Sequence, residues 1–181
     1  MEDQATEVTI SKTDITTDKE LPGATLQILK KAAAVTDHGE ETETEEVVTT
    51  IYGEKLEWKS TGEPKNIKGL PAGEYILRES AAPDGYTVAA DVTFTVTDEL
   101  KAVETVEMQD APIETVISKV DMADTAKELP GATLQILKKV TAEDGTTSEA
   151  IAVTVYGEKL QWISGEEAKE IKGLPAGDYI L

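Results

Sequence analysis

The stretch VTISKTD, Val8–Asp14, places a lysine on the apolar face of a predicted strand. Successive side chains of a strand point to opposite faces, so Lys12 falls in phase with Val8 and Ile10. A related stretch, VISKVD, begins at Val116 and carries Lys119. Because an isolated buried charge is costly, a lysine aimed at a core must pair with an acid or lose its charge.

Two acidic residues also lie on the apolar faces of predicted strands. Glu79 ends the apolar face of EYILRES, and Asp110 ends that of VEMQD. Burial favours a neutral amine, which is a nucleophile, and a protonated carboxyl group, whose carbon is an electrophile. Lys12 is then the nucleophile, Asp110 the acceptor, and Glu79 the acid/base that donates a hydrogen bond and moves protons. The product is an amide between two side chains. A buried salt bridge, or inward charges that discourage edge pairing, explains the same pattern without a reaction.

These side chains lie on short predicted strands that alternate with turn signals such as GLPAG and APDGY. No segment shows a helical period, so the predicted fold class is all-β, an immunoglobulin-like or prealbumin-like β-sandwich. The predicted strands of the first half are Glu7–Lys12, Ala24–Lys30, Val47–Tyr52, Leu56–Lys59, Glu74–Glu79, Val92–Val96 and Val103–Asp110. The acidic stretch between them, Ala32–Glu46, is predicted to be a mobile, solvated loop, with calcium binding as the alternative.

An internal repeat organises the chain. KELPGATLQILKK begins at Lys19 and again at Lys127, and IKGLPAG begins at Ile67 and again at Ile171. The repeat of about 100 residues is longer than the unit of a solenoid and matches a whole domain. The predicted domains are therefore 1–113, complete, and 114–181, which lacks its last strands.

Three motifs in order carry a family resemblance. LRESAAPDGY resembles the glutamate motif of the B-type (SpaA-like, prealbumin-like) domains of Gram-positive surface adhesins and pilins. ISKTD with KELPGATLQIL resembles their first strand and the segment after it, and VEMQDAP resembles their last strand. The resemblance covers Glu7–Pro112.

The resemblance implies an intramolecular isopeptide bond between Lys12 and Asp110, assisted by Glu79. Such a bond forms once, so the chain is not expected to be a turnover enzyme. Lys119, the second nucleophile, has no matching glutamate or acceptor in this sequence and is expected to stay unreacted. The implied function is a stalk or spacer repeat of a cell-wall-anchored, extracellular adhesin or pilin. Its implied partners are neighbouring repeats of the same polypeptide, with host matrix or glycan bound by other parts of the parent protein.

The composition of the chain argues against several classes of function. The formal net charge is -19, which repels nucleic acids and anionic membrane surfaces. The chain has no cysteine and one histidine, His38, so a thiolate or histidine metal site is not expected. No cofactor or metal is predicted, and no stretch is apolar enough to insert into a membrane.

Two other functions stay open at this stage. One is a ligand-binding adhesin module for a host protein or glycan, with the acidic loop Ala32–Glu46 as its candidate surface. The other is a strand acceptor, in which the incomplete second domain is completed by strands of another chain.

Overall fold

A computed structural model describes residues 5–35, 41–97 and 104–181, and within them every regular element is a strand. The prediction of an all-β fold is confirmed. By their contacts these residues divide into two compact units. Unit 1 contains the described residues up to Pro83 and those of Thr87–Ala111, and unit 2 contains Asp84–Tyr86 with Pro112–Leu181. The division into folding domains at 113/114 stays a prediction.

Unit 1 is a sandwich of two sheets. Its strands are β1 (Glu7–Asp14), β2 (Thr25–Val35), β3 (Glu41–Val47), β4 (Glu57–Lys59), β5 (Lys65–Lys68), β6 (Gly73–Ala81), β7 (Val92–Val96) and β8 (Glu104–Asp110). One sheet has the order β5-β1-β8, with β1 antiparallel to β5 and parallel to β8. The other has the order β3-β2-β6-β7, with β4 also paired to β2.

The core of unit 1 follows from the period-2 pattern of these strands. Val8 and Ile10 of β1 and Met108 of β8 come from one sheet, and Ile28 and Leu77 come from the other. All five are buried, while the residues that alternate with Val8, Ile10 and Met108 on β1 and β8 are more exposed. Burying such aliphatic side chains contributes about 1.5–3 kcal/mol each, and this packing holds the two sheets together.

Unit 2 repeats part of this arrangement. Its strands are β9 (Glu114–Ile117), β10 (Thr133–Gln135), β11 (Leu137–Thr141), β12 (Thr147–Ile151), β13 (Gln161–Ile163), β14 (Lys169–Lys172) and β15 (Tyr179–Ile180). β9 pairs with β14, β10 with β13, and β11 with both β12 and β15. A smaller core contains Ile136, Leu160 and Ile171. The sequence has no second-copy residues corresponding to β7 and β8.

The acidic stretch Ala32–Glu46 corrects one prediction. Its described residues, 32–35 and 41–46, belong to β2 and β3, which pair as an antiparallel hairpin instead of forming a loop. Lys30 lies opposite Glu46 and Lys31 opposite Glu45, so opposite charges face each other across the strands. Residues 36–40, including His38, lie outside the described residues.

One further strand prediction was wrong in position, and one strand was missed. Val47–Tyr52 was predicted as a strand, but β3 ends at Val47 and Thr50 accepts a hydrogen bond from Gly53 N–H in a turn. β5 was not predicted, because KNIK carries two lysines around a single apolar residue. That residue, Ile67, is fully buried opposite Val8 of β1.

No helix among the described residues is both long and apolar enough to cross a membrane.

Candidate functional site

The structure brings Lys12, Glu79 and Asp110 together in the interior of unit 1. Lys12 comes from β1, Glu79 from β6 and Asp110 from β8, so both sheets contribute. The residues are 2%, 3% and 0% exposed. The three side chains, each on the apolar face of its strand, therefore meet in a site that is shielded from water.

Strand pairing explains how Lys12 reaches Asp110. In the parallel register of β1 and β8, Lys12 lies opposite Met108, and Asp110 is two residues further along. Two strand residues span about 6.6 Å, a distance that the four-carbon side chain of a lysine can cover. Lys12 Nζ donates a hydrogen bond to Asp110 Oδ1.

Glu79 faces this pair from the opposite sheet. Its Oε1 lies 3.3 Å from Lys12 Nζ. Its Oε2 accepts a hydrogen bond from the backbone N–H of Ala89 at 2.7 Å, which orients the carboxyl group. The Glu79 carboxyl group is thus held with one oxygen anchored and the other beside the amine.

The site does not supply enough hydrogen-bond donors for two ionised carboxylates. Among the described residues, Glu79 Oε1 and Asp110 Oδ2 are buried and accept no hydrogen bond. Burial raises the pKa of Asp110 from an ordinary value of 3.8 to about 6, the hydrogen bond and charge of Lys12 oppose that rise, and Glu79 adds to it. The neutral carboxylic acid, which is the electrophilic form, is therefore favoured at Asp110 far more than on an exposed aspartate.

A family model described as the SpaA prealbumin-like fold domain matches residues 6–112. The chain belongs to the SpaA prealbumin-like fold family. The match spans all of unit 1 from β1 to β8 and includes the three residues of the site. It confirms the resemblance drawn from the three sequence motifs.

Solved structures similar to this SpaA-family chain include three proteins of low sequence identity. The TIE protein of Bacillus anthracis is 23% identical, with a TM-score of 0.48, and the alignment covers 97% of this chain and 28% of that one. A streptococcal ancillary pilin is 22% identical, with a TM-score of 0.41 and coverage of 99% and 53%. The shaft pilin spaA of Lactobacillus rhamnosus GG is 21% identical, with a TM-score of 0.41 and coverage of 60% and 46%. The chain thus spans about half of these proteins or less. A comparison with curated proteins found no significant match to this chain.

Lys119, the equivalent of Lys12 in the second copy, has different surroundings. β9 ends at Ile117, and Lys119 is exposed. Its backbone N–H donates to Glu128 Oε2 at 2.9 Å. The structure therefore does not bring Lys119 into a buried site with two acids.

Sequence reasoning missed two groups around the first site. The backbone N–H of Ala89 gives no signal in residue type, because any residue except proline supplies it. Glu20 contacts the backbone of Lys12 and does carry a signal, since Lys-Glu-Leu-Pro-Gly occurs in both copies. Among the described residues, no group of three or more acids or histidines is arranged to hold a metal ion.

Proposed function

We propose that this chain is a structural spacer repeat of a surface protein, and that an amide bond between Lys12 and Asp110 stabilises it. The observation that carries the proposal is the buried contact between Lys12 Nζ and Asp110 Oδ1, with Glu79 beside it. Membership of the SpaA family supports the same assignment. In this proposal the repeat lies outside the cell, and neighbouring repeats of the same polypeptide are its partners.

The reaction is a condensation that the chain performs on itself. The neutral Lys12 amine attacks Cγ of protonated Asp110, so that an Nζ–Cγ bond forms and one Cγ–O bond breaks. Glu79, oriented by Ala89 N–H, donates a hydrogen bond to the Asp110 oxygen and carries a proton from the amine to the departing hydroxyl. One water molecule leaves, and Glu79 returns to its starting protonation state.

The buried surroundings favour the amide over the ion pair. A buried ion pair retains a desolvation cost of several kcal/mol per ion unless its hydrogen bonds are complete. Among the described residues, Asp110 Oδ2 accepts no hydrogen bond and Glu79 Oε1 has an ionic contact with Lys12 Nζ at 3.3 Å but no hydrogen bond, so the ionised state is incompletely compensated. The amide has no net charge and removes that cost.

The bond would change how unit 1 bears tension. Lys12 and Asp110 are 98 residues apart, on the first and last strands of the unit. Force applied through the ends of the unit would pass across the covalent bond between β1 and β8, and the intervening strands would be shielded. By analogy with a disulfide, closing a loop of this length restricts the unfolded chain by about 4.7 kcal/mol.

Intact-protein mass spectrometry tests the proposal. We expect the folded chain to be lighter than its sequence by one water molecule, and proteolysis should yield a branched peptide joining Lys12 to Asp110. Lys12→Ala and Glu79→Ala should show the full mass. Lys119→Ala, the matched control in the second copy, should still lose one water molecule. A folded wild-type chain with the full, unmodified mass would contradict the proposal.

The identity of the acceptor has its own test. Asp110→Asn keeps the shape of the side chain but changes the leaving group. If Asp110 is the acceptor, this variant should lose ammonia instead of water, which high-resolution mass spectrometry distinguishes. Loss of water from Asp110→Asn would assign the acceptor to another carboxyl group.

A further inference from the structure

The edge of β1 changes its hydrogen-bond partner just before Lys12. β5 pairs with β1 from Glu7 to Ile10. Further along, the chain returns after a turn, and Asp14 N–H donates to Lys19 C=O at 3.0 Å while Leu21 N–H donates to Lys12 C=O at 2.6 Å. Ser11 and the N–H of Lys12 lie at the junction between these two partners.

The side chain of Glu20 fills that junction. Its Oε1 accepts a hydrogen bond from the Ser11 hydroxyl at 2.5 Å, and its Oε2 accepts one from Lys12 N–H at 3.2 Å. Together with Leu21 N–H, it satisfies both backbone groups of Lys12. The backbone that carries the nucleophile is thus fixed by two consecutive residues of the returning segment.

The same turn also holds the acceptor. Ile15 N–H donates to the backbone C=O of Asp110 at 3.0 Å. The turn is shaped by the carboxylate of Asp14, which accepts hydrogen bonds from Thr16 N–H at 2.7 Å and from the Thr17 hydroxyl at 3.1 Å. Residues 14–21 therefore contact the backbone of both ends of the proposed bond.

The second copy shows that the Glu20 contact does not require the buried site. Glu128, the counterpart of Glu20, accepts a hydrogen bond from Lys119 N–H at 2.9 Å, and Leu129 N–H donates to Lys119 C=O at 2.6 Å. Lys119 is nevertheless exposed. The local sequence therefore produces this backbone arrangement without the buried site, so the arrangement is not a consequence of the cross-link.

From these contacts we propose that Glu20 is a positioning residue for the Lys12–Asp110 condensation, an inference that rests on the proposed function. Glu20 acts through the backbone of Lys12 and the hydroxyl of Ser11 to keep the amine aligned with the Asp110 carboxyl group. Alignment of a nucleophile is worth a large factor in rate, and a displacement of about 1 Å can slow a reaction about a hundredfold.

Timed cell-free synthesis of the full chain, followed by intact mass, measures the rate of water loss. We expect Glu20→Ala to slow bond formation about tenfold to a hundredfold. Glu20→Gln should restore the wild-type rate, because its amide oxygen accepts from Lys12 N–H and its amide nitrogen donates to the Ser11 hydroxyl oxygen. Glu128→Ala, the same change in the second copy, should react as the wild type does.

The outcomes separate this inference from the cross-link itself. If the wild type never loses water, the proposed function fails and the role of Glu20 with it. If the wild type links and Glu20→Ala links equally fast, only the role of Glu20 is overturned. It is also overturned if Glu20→Gln is as slow as Glu20→Ala, because charge and not hydrogen bonding would then be responsible. Should Glu20→Ala fail to fold, Ser11→Ala removes one of the two contacts, and a wild-type rate in that variant would reject the proposal.

Discussion

Lys12 and Lys119 occupy equivalent places in the two copies but have opposite surroundings. Both follow Ile-Ser, both donate their backbone N–H to a glutamate side chain, and both accept a hydrogen bond from the next leucine. Lys12 is nevertheless buried, and Lys119 is exposed. Neighbouring residues in the sequence therefore determine the backbone conformation of the lysine, while residues distant in the sequence determine the environment of its amine.

Strand pairing explains why the two lysines have different surroundings. β1 pairs Val8 with Ile67, and β9 pairs Thr115 with Ile171, the corresponding residue of the second copy. One edge of β1 and the corresponding edge of β9 therefore pair with equivalent strands. The other edge of β1 pairs with β8, which has no counterpart in the second-copy sequence. β8 supplies Asp110 and, with β6, covers the Lys12 side chain.

Replacing Lys12 or Lys119 by alanine should give the largest difference in stability between equivalent substitutions in the two copies. Lys12→Ala prevents the amide from forming, which removes a loop closure worth about 4.7 kcal/mol, and it leaves the carboxyl groups of Glu79 and Asp110 buried without their amine partner. Lys119→Ala removes an exposed side chain and should change stability by about 0.5 kcal/mol or less. Each unit has one tryptophan, Trp58 or Trp162, so denaturant unfolding followed by fluorescence in a Trp162→Phe background reports on unit 1.

The reciprocal background supplies the control for this contrast. In a Trp58→Phe background the remaining Trp162 reports on unit 2, where Lys12→Ala should leave the unfolding midpoint in place. Equal loss of stability for Lys12→Ala and Lys119→Ala in unit 1 would contradict the difference drawn between the two lysines.

The three residues of the candidate site were predictable because burial on a strand leaves a period-2 record in the sequence. Lys12, Glu79 and Asp110 each follow two apolar residues of the same phase, and all three are buried. The contact of Ala89 N–H with Glu79 left no such record, since it depends on backbone position alone. β5 was missed because one buried isoleucine between lysines is too short a pattern to show alternation.

Matched core substitutions should affect both units to a similar extent. Leu56 and Leu160 are equivalent, 0% and 1% exposed, and each belongs to the core of its own unit. Truncating either to alanine removes buried methyl groups and leaves a cavity, so we expect a loss of about 2–5 kcal/mol in the unit that carries it. The measurement is denaturant unfolding with the tryptophan of that unit. A negligible cost for Leu160→Ala would show that unit 2 does not pack its core as unit 1 does.

The hairpin of β2 and β3 shows where composition misled the prediction. The acidic run was interpreted as a solvated loop because its side chains are small or charged. Glu45 and Glu46 instead lie opposite Lys31 and Lys30 across the hairpin, and both are exposed. The exposure of these two residues does not distinguish a loop from an edge strand.

The titration of Asp110 should make the stability of unit 1 depend on pH, with an effect of intermediate size. Glu79→Gln should block the bond, which intact mass verifies, and leaves Asp110 unlinked. Burial, the largest cause of the raised pKa of Asp110, persists in this variant while the smaller contribution of the Glu79 charge is lost, so folded Asp110 still binds a proton more tightly than unfolded Asp110. Its contribution to stability therefore falls as pH rises from about 4 toward the folded pKa, which we expect to lie below the value of about 6 that holds beside Glu79, and the penalty is complete above that window.

A double variant isolates this contribution from the other acids. Glu79→Gln with Asp110→Asn removes the titrating group and keeps its shape. The stability of Glu79→Gln relative to the double variant should decline across the window when Trp58 is observed. Parallel curves for the two variants would show that Asp110 does not titrate in the interior of unit 1.

The smallest effects should come from exposed ion pairs that both units share. Lys65 Nζ lies 2.7 Å from Glu54 Oε1 in unit 1, and Lys169 Nζ lies 2.8 Å from Glu158 Oε1 in unit 2. Such pairs contribute about 0.2–1 kcal/mol, and salt screens them. Glu54→Gln and Glu158→Gln should therefore each lower the stability of their own unit by no more than this amount, and the cost should shrink in high salt. A much larger cost in unit 1 alone would mean that the surface, and not only the buried lysine site, separates the two copies.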